Sequence, residues 1–353
     1  MNFKRFGLRP VLALTVAGTM VLAACTSDGG DDPTNGAESD APQSMGEGNG
    51  GGGDVSGSIF VSGSSTVEPI TTLVAEMFAE ENAGFDYTVE GPGTGDGFAL
   101  FCNGETDISD ASRAIKEEEA AACEDAGIEY TEILVAYDGL AVITSAENDA
   151  VSCLSFADLY ALLGPESQGF DNWSDAEVLA AELPEGFGEL NTPYPDAELI
   201  VTAPGEESGT FDTFIEIVLE DLADEREQDA TTRPDYVASA NDNVIIEGIT
   251  GSPTSLGWVG LAFASENADT VKIIEIDGDD GCVAPSDETV VDQSYPISRP
   301  LFIYVNNARA DENEALVSFV DFYVENFSAA GEVGYVNLSD DEMSEAAAGW
   351  TGR

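Results

Sequence analysis

Histidine is absent from the 353-residue chain, and this absence limits the chemistry available to it. Without an imidazole, Ser-His-Asp and Cys-His nucleophile systems and histidine-based phosphoryl transfer are excluded. A zinc site is also disfavoured, because the cysteines form no CxxC pair. Carboxylate pairs could still act as acids and bases, but among 69 Asp and Glu residues no pair stands out. We therefore expect a protein that is not an enzyme and that holds no metal or cofactor.

Positive charge is also scarce, since Lys and Arg number 11 and the formal net charge is −58. Nucleic acid and anionic lipid need a basic surface, so neither is expected as a partner. Two explanations of the acidity stay open: adaptation to high salt, where screening tolerates the repulsion, and an acidic exported protein from a moderate habitat. In both cases an anionic ligand must be captured by short-range donors inside a closed cleft.

The few arginines can be assessed one by one. Arg226 and Arg233 lie in a polar stretch and are expected to form solvated ion pairs of little energetic value. Arg113 differs, because it follows a strand-like segment and a small-residue turn, where a planar guanidinium could bind two oxygens of a tetrahedral anion. The alternative for Arg113 is a structural ion pair with Asp107 or Asp110.

An apolar run near the N-terminus predicts export. Residues 11–24 follow three basic residues and end in small side chains, which is typical of a secretory signal peptide over residues 1–24 and too short for a spanning helix. A cysteine at the cleavage point resembles the bacterial lipoprotein signal, in which Cys25 becomes the lipid-bearing, palmitoylated N-terminus. Ordinary secretion with Cys25 as a free thiol is the alternative. Residues 25–56 have hardly an apolar side chain, so we expect a disordered acidic, Gly-rich tether.

Four further cysteines, Cys102, Cys123, Cys153 and Cys282, are even in number, which indicates two disulfides in an exported chain. Three pairings are possible, and the sequence by itself does not choose between them. We favour Cys102 with Cys123, which would close a local loop, and Cys153 with Cys282.

Three strand–turn–helix units place Gly, Ser and Thr at a predicted helix start. The first, residues 60–70, carries three consecutive hydroxyls before a helix that begins near Pro69. The others are residues 90–98 and 203–210. Helix starts offer unpaired N–H groups and a positive dipole end, and small residues let the backbone approach a ligand. Three such turns predict one polyatomic anion bound mostly by neutral donors; the alternative is that the hydroxyls only cap helices.

The order of the predicted elements indicates the architecture. Strand and helix signals alternate from Ile59 onward, which favours parallel sheets covered by helices on both faces. Roughly 300 residues follow the tether, enough for two domains. Two apolar strands, residues 134–144 and 301–305, are placed to cross between these domains. Residues 164–198 contain four prolines and are expected to form a long irregular loop.

Several motifs in a fixed order carry a resemblance to a known family. They are residues 63–67, 91–95, 107–113, 135–142, 208–210, 241–244, 255–260 and 299–305. Together they resemble the phosphate-binding proteins of the high-affinity phosphate ABC transporter. The resemblance implies an α/β, two-domain periplasmic-binding-protein-like (type II) fold, in which two parallel or mixed sheets flanked by helices are joined by a two-strand hinge. The implied domains are residues 57–136 with 298–353, and residues 137–297.

The same resemblance implies the function. The chain would capture inorganic phosphate in the cleft between its domains and deliver it to the permease subunits of an ABC transporter. It would act as a monomer, attached by a lipid on Cys25 to the extracytoplasmic face of the cell membrane. The alternatives are a binding protein for another oxyanion, such as sulfate or molybdate, an exported phosphatase, and a phosphate sensor.

The resemblance also assigns the site. The implied phosphate-binding residues are Ser65, Thr66, Val67, Thr94, Ser112, Arg113, Asp138, Ser208, Gly209 and Thr210. Many members carry an arginine shortly before the Ser-Gly-Thr turn, whereas this chain has Pro204 there. Arg113 is therefore expected to be the only cation in the site, so that Arg113→Ala weakens phosphate binding at least about tenfold. The candidate acceptors of the phosphate proton, which would exclude sulfate, are Asp110, Asp138 and Glu207.

Overall fold

The structure is a computed structural model, and it describes residues 55–279 and 281–353. The predicted signal peptide, the lipidation site Cys25 and nearly all of the tether lie outside the described residues. Within the part that the structure describes, no helix combines the length and apolarity needed to cross a membrane.

The described residues form the following strands: β1 (Ser56–Gly63), β2 (Gly84–Glu90), β3 (Ile108–Ala111), β4 (Tyr130–Ser145), β5 (Cys153–Ser155), β6 (Thr202–Ala203), β7 (Val237–Ala238), β8 (Leu256–Gly260), β9 (Val271–Ile273), β10 (Glu275–Asp277), β11 (Cys282–Val283) and β12 (Ser298–Asn306).

The α-helices are α1 (Glu68–Glu81), α2 (Thr94–Cys102), α3 (Glu117–Ala126), α4 (Phe156–Leu163), α5 (Glu177–Ala180), α6 (Gly209–Phe214), α7 (Glu220–Glu225), α8 (Asp242–Thr250), α9 (Leu261–Glu266), α10 (Asp287–Val291), α11 (Asn307–Glu312), α12 (Glu314–Glu325), α13 (Ala329–Glu332) and α14 (Asp340–Thr351). A π-helical turn, Ile215–Leu219, joins α6 to α7, and two short 3-10 helices span Pro165–Ser167 and Trp173–Ala176.

A seven-stranded mixed sheet, in the order β2-β1-β3-β12-β4-β8 with β9 also paired to β4, organises the molecule. β1 runs parallel to both β2 and β3, and β12 runs antiparallel to β3. Because β1, β2 and β3 are parallel, their carboxyl ends meet at one edge of the sheet. The turns that follow these three strands are therefore brought together, which is where ligands bind in open α/β sheets.

β4 and β12 are the two apolar strands that were expected to cross between domains. The first part of β4 pairs with β12 from Tyr130 to Gly139, and the remainder pairs with β8 and β9 from Leu140 to Ser145. One continuous 16-residue strand thus belongs to two sets of neighbours. β12 lies beside β4 and pairs antiparallel with it. Two adjacent strands therefore connect the region of β1–β3 with the region of β8 and β9.

Helix α1 shows why the first unit folds as predicted. It begins at Glu68 with Pro69 in its first turn, and Ile70, Val74 and Phe78 are buried at the helical repeat. The Phe78 ring lies 4.8 Å from that of Phe85 on β2. Burying side chains of this size contributes about 1.5–3 kcal/mol each, which fixes the start of α1 against the sheet edge.

Both favoured disulfides are present, so that prediction is confirmed. Cys102–Cys123 links the end of α2 to α3, and Cys153–Cys282 links β5 to β11 across 129 residues of sequence. The first bond holds in place the helix that begins with Thr94.

Residues 164–198 are largely irregular, as predicted, apart from the two 3-10 helices and α5. The expectation that Arg226 and Arg233 are solvated is wrong. The Arg233 side chain is 5% exposed and donates to Asp235 and to the carbonyl of Phe170. Arg226 pairs with Glu166. The irregular segment folds over both guanidinium groups, and they hold it in place.

Candidate functional site

The turns after β1, β2 and β3 are joined directly to one another. The Gly93 amide donates to the Gly63 carbonyl at 2.8 Å, and the Ser64 amide donates to the Asp110 carbonyl at 2.9 Å. The hydroxyls of Thr94 and Ser112 lie 3.0 Å apart. Two of the three predicted turns, residues 60–70 and 90–98, are therefore brought together, and the turn after β3 joins them through the contact of Ser112 with Thr94.

A glycine–glycine contact makes this arrangement possible. A Cβ added to Gly97, in the first turn of α2, would lie 2.4 Å from the Gly63 Cα and 2.9 Å from the Ser62 carbonyl oxygen. Only a residue without a side chain lets the start of α2 pack on the end of β1. The contact sets the position of Thr94 relative to the first turn.

The start of α6 faces the first turn from the opposite side. Ser65 Oγ donates to Asp212 at 2.8 Å, and the hydroxyls of Thr66 and Thr213 lie 3.4 Å apart. Ser208 caps α6, because its hydroxyl accepts from the Thr210 amide. The Ser-Gly-Thr turn, far away along the chain, is thus placed beside Ser65 and Thr66.

Arg299, at the start of β12, joins these elements. Its guanidinium donates to the hydroxyls of Thr66 and Thr213 at 2.9 and 2.6 Å, and it also donates to Glu216. Its Nε lies 3.5 Å from Asp138 Oδ2, and its side chain is 11% exposed. Sequence reasoning missed this residue. The available signal was an arginine directly before an apolar crossover strand, in a chain with only 11 cationic residues.

Arg113 lies at the cleft but is already paired. Both of its terminal nitrogens donate to Glu119 at 2.8 Å, and the guanidinium lies over the Phe98 ring. Neither alternative partner is used, because Asp107 pairs with Arg309 instead and Asp110 is bonded by a hydroxyl. The side chain of Arg113 is 33% exposed.

A cavity of about 580 Å³ contains both arginines. Its lining residues are Pro92, Gly93, Thr94, Gly95, Asp96, Ser112, Arg113, Lys116, Glu216, Ile217, Glu220 and Arg299. The expectation that Arg113 is the only cation in the site is therefore wrong. That expectation assumed that a missing arginine before the Ser-Gly-Thr turn leaves no second guanidinium, whereas β12 supplies one from another part of the chain.

Asp110 is fully buried and has one free carboxyl oxygen. Its Oδ1 accepts from the Thr71 hydroxyl at 3.0 Å, while Oδ2 has no hydrogen-bond partner among the described residues. Burial raises the pKa of Asp110 to about 8, despite the opposing hydrogen bond from Thr71. A buried oxygen without a partner is costly, so Asp110 stays a candidate acceptor.

The other two candidate acceptors differ from Asp110. Asp138, on β4, is 4% exposed, and it accepts from Thr213 at 2.9 Å. Burial raises the pKa of Asp138 and outweighs the opposite effect of Arg299. Glu207 is exposed. Glu207 is therefore not placed to contact a buried ligand.

The chemistry of this site suits an anion that carries a proton. The turns after β1, β2 and β3 and the start of α6 present hydroxyls and backbone amides near one buried guanidinium. All of these groups donate hydrogen bonds to oxygen atoms. Asp110 follows at the end of β3, where its backbone carbonyl accepts from the Ser64 amide of the first turn. In the described residues no group of three or more His, Cys, Asp and Glu side chains is arranged to hold a metal ion.

Comparison with known proteins places the chain among relatives of the same size. A family model for a PBP superfamily domain matches residues 48–326. Protein SphX of Synechocystis is 38% identical over 286 residues, which cover 80% of this chain and 79% of that protein. Phosphate-binding protein PstS of Staphylococcus aureus is 33% identical over 297 residues, which cover 82% of each chain.

A solved structure extends the likeness to three dimensions. The crystal structure of a possible phosphate binding protein from Planctomyces limnophilus superposes with a TM-score of 0.75 at 32% identity, covering 84% of this chain and 99% of that one. The predicted fold class, an α/β two-domain periplasmic-binding-protein-like fold, is confirmed.

Proposed function

This chain belongs to the PBP superfamily and, within it, to the PstS-like phosphate-binding proteins, and from that membership we propose that it captures inorganic phosphate and delivers it to an ABC permease. The observation that carries the proposal is the convergence of separate turns around Arg299, which donates to Thr66 and Thr213 and lines one cavity with Thr94 and Ser112. Uncharged donors supply most bonds to the phosphate oxygens, Arg299 supplies the charge, and Asp110 accepts the phosphate proton when its own carboxyl is ionised.

Most of the residues assigned from the sequence keep their roles in this proposal. Thr66, Thr94 and Ser112 donate from the three turns at the sheet edge, with Ser65 and the Val67 amide. Ser208, Gly209 and Thr210 donate from the start of α6. Arg113 and Asp138 act at the margin of the site, because Glu119 and Thr213 already occupy them.

Closure of the cleft follows from contacts on both sides of it. We propose that residues 57–136 with 298–353 form one lobe and residues 137–297 the other, hinged at β4 and β12. A ligand that touches Thr66 on one lobe and Thr210 on the other favours the closed state over the open one. Capture is then stronger than either lobe could achieve alone.

The cellular setting belongs to the same proposal. The chain performs no covalent chemistry, acts as a monomer and works on the extracytoplasmic face of the membrane, attached through a lipid on Cys25. Relatives that are substrate-binding proteins support the first point, and the signal-like residues 1–24 support the last.

Isothermal titration calorimetry with phosphate and with sulfate tests the proposal. At pH 8.5, where Asp110 is largely ionised, we expect saturable binding of phosphate at one site per chain and weak or undetectable binding of sulfate, because sulfate has no proton to give to Asp110. Asp110→Asn should reduce this discrimination. A wild-type protein that binds sulfate as tightly as phosphate would identify a receptor for oxyanions in general, and one that binds neither would reject the proposal.

A further inference from the structure

The Arg299 guanidinium is shared between the proposed phosphate donors and a carboxylate of the protein itself. Two of its contacts are the hydroxyls of Thr66 and Thr213, which belong to the site. Another is Glu216, whose carboxylate accepts from Nη1. A carboxylate presents to a guanidinium the same oxygen geometry that a phosphate does, so the two compete for the same donor.

Glu216 is well suited to leave that position. Its side chain is 45% exposed, whereas Arg299 is 11% exposed and Asp138, the other acid beside the guanidinium, is 6% exposed. An exposed carboxylate can exchange its bond to Arg299 for water at small cost. Asp138 cannot, because it is buried and fixed by Thr213.

The local backbone places Glu216 at the cavity. Thr213 and Glu216 are three residues apart, so they lie on one face of the helical run and reach the same guanidinium. Glu216 lies in the π-helical turn Ile215–Leu219, a rare conformation that occurs often at functional sites. Glu216, Ile217 and Glu220 all line the cavity.

We propose that Glu216 is an internal competitor of the ligand, whose carboxylate occupies Arg299 in the empty protein and sets the phosphate affinity. This inference rests on the proposed function. Phosphate must displace Glu216 from Nη1, so the apparent dissociation constant is the intrinsic one divided by the fraction of molecules in which Arg299 is free. Removal of the carboxylate raises that fraction, and it accelerates capture more than it slows release.

The experiment compares Glu216→Gln with Glu220→Gln in phosphate titrations and in stopped-flow capture and release. Both variants remove one negative charge from the same cavity, but no ion pair of Glu220 is found within the described residues. Glu220→Gln therefore measures the general effect of lower repulsion. Because 45% of the Glu216 side chain is exposed, the folded state should survive its substitution, and Glu216→Ala provides a second variant without the carboxylate.

We expect Glu216→Gln to tighten phosphate binding about fivefold beyond Glu220→Gln, mainly through a faster association rate. Equal effects of the two variants would overturn the inference while leaving the proposed function intact. Weaker binding by Glu216→Gln and Glu216→Ala would also overturn it, because it would mean that Glu216 holds Arg299 in its productive position. A wild-type protein that binds no phosphate would refute the proposed function, and the inference with it.

Discussion

At the residue scale, Arg113 and Arg299 differ in their hydrogen-bond partners. The guanidinium of Arg113 is bound by both oxygens of Glu119, six residues along the chain. Arg299 donates to hydroxyls that belong to the turns of the site. Arg299 also donates to Glu216, but that side chain is 45% exposed whereas Glu119 is 17% exposed, so Arg299 can be released to an anion more readily than Arg113.

Matched substitutions separate the two arginines. We expect Arg299→Ala to weaken phosphate binding at least about tenfold, because a charge-assisted hydrogen bond contributes about 1.5–3 kcal/mol. Arg113→Ala should have the smaller effect. Calorimetry measures both dissociation constants. A larger loss for Arg113→Ala would restore the assignment made from the sequence and leave Arg299 with a structural role only.

The site was predictable from the sequence as far as its turns, but not its ion pairs. Gly, Ser and Thr directly before a helix indicate a turn without any knowledge of the tertiary structure. Thr66, Thr94 and Ser208 could therefore be identified from the sequence of each turn alone. The partner of Arg299 depends on how β12 and the run from α6 to α7 pack, and no local pattern contains that information. The partner of Arg113 is local, because Glu119 is only six residues along the chain, at the start of α3, where it also accepts from the Lys116 amide.

Asp110 gives a second prediction at this scale. Its pKa is about 8 in the folded protein and 3.8 in an ordinary carboxyl, so between these values the folded chain holds a proton that the unfolded chain has lost. This contribution to stability is fully present below pH 4 and is lost as the pH rises toward 8, at about 1.4 kcal/mol per pH unit. Asp110→Asn removes that dependence.

Urea unfolding at pH 5.5 and pH 8.5 measures the effect. The stability of Asp110→Asn relative to the wild type should increase from the lower pH to the higher. Asp86→Asn, at an exposed position of β2, is the control for loss of one charge. An equal pH dependence in the wild type and in Asp110→Asn would show that Asp110 titrates at an ordinary pKa.

At the element scale, the packing of α2 on the end of β1 decides where Thr94 lies. We expect Gly97→Ala to destabilise the protein by about 1–3 kcal/mol, because the new methyl group overlaps the backbone of Ser62 and Gly63. Gly95→Ala is the matched control, since a Cβ there meets nothing within 4 Å. Thermal unfolding of the two variants compares them. A neutral Gly97→Ala would mean that α2 can move away from β1.

Element boundaries were predictable where the hydrophobic repeat is long. α1 follows from five apolar residues at helical spacing, and β4 from a long apolar run that only Asp138 and Gly139 interrupt. The run after Ser208 reads as one helix from its sequence, but the structure divides it into α6, the π-helical turn and α7. The spacing of apolar residues cannot distinguish one continuous α-helix from a helix interrupted by a π turn. A single π turn shifts the apolar repeat by less than the width of the apolar face.

At the scale of the whole molecule, the net charge of −58 repels the anion that the site is proposed to bind. Salt shortens the screening length from about 10 Å at 0.1 M to about 3 Å at 1 M. We therefore expect the association rate of phosphate to rise with salt concentration, opposite to the behaviour of receptors with a positive field. Stopped-flow capture in 0.1 and 1 M salt measures this rate, with a chloride salt and a salt of a bulkier anion as controls for competition. A rate that falls in both salts would show that local cations, not the net charge, govern the approach of phosphate.

The central claim, that four separated turns enclose one phosphate ion, is tested most directly by a crystal structure of the protein with phosphate. We predict a single ion with its oxygens within hydrogen-bond distance of Thr66, Thr94, Arg299 and the start of α6, and with the free oxygen of Asp110 facing its proton. A phosphate bound elsewhere, with Asp110 Oδ2 still without a partner, would contradict the account.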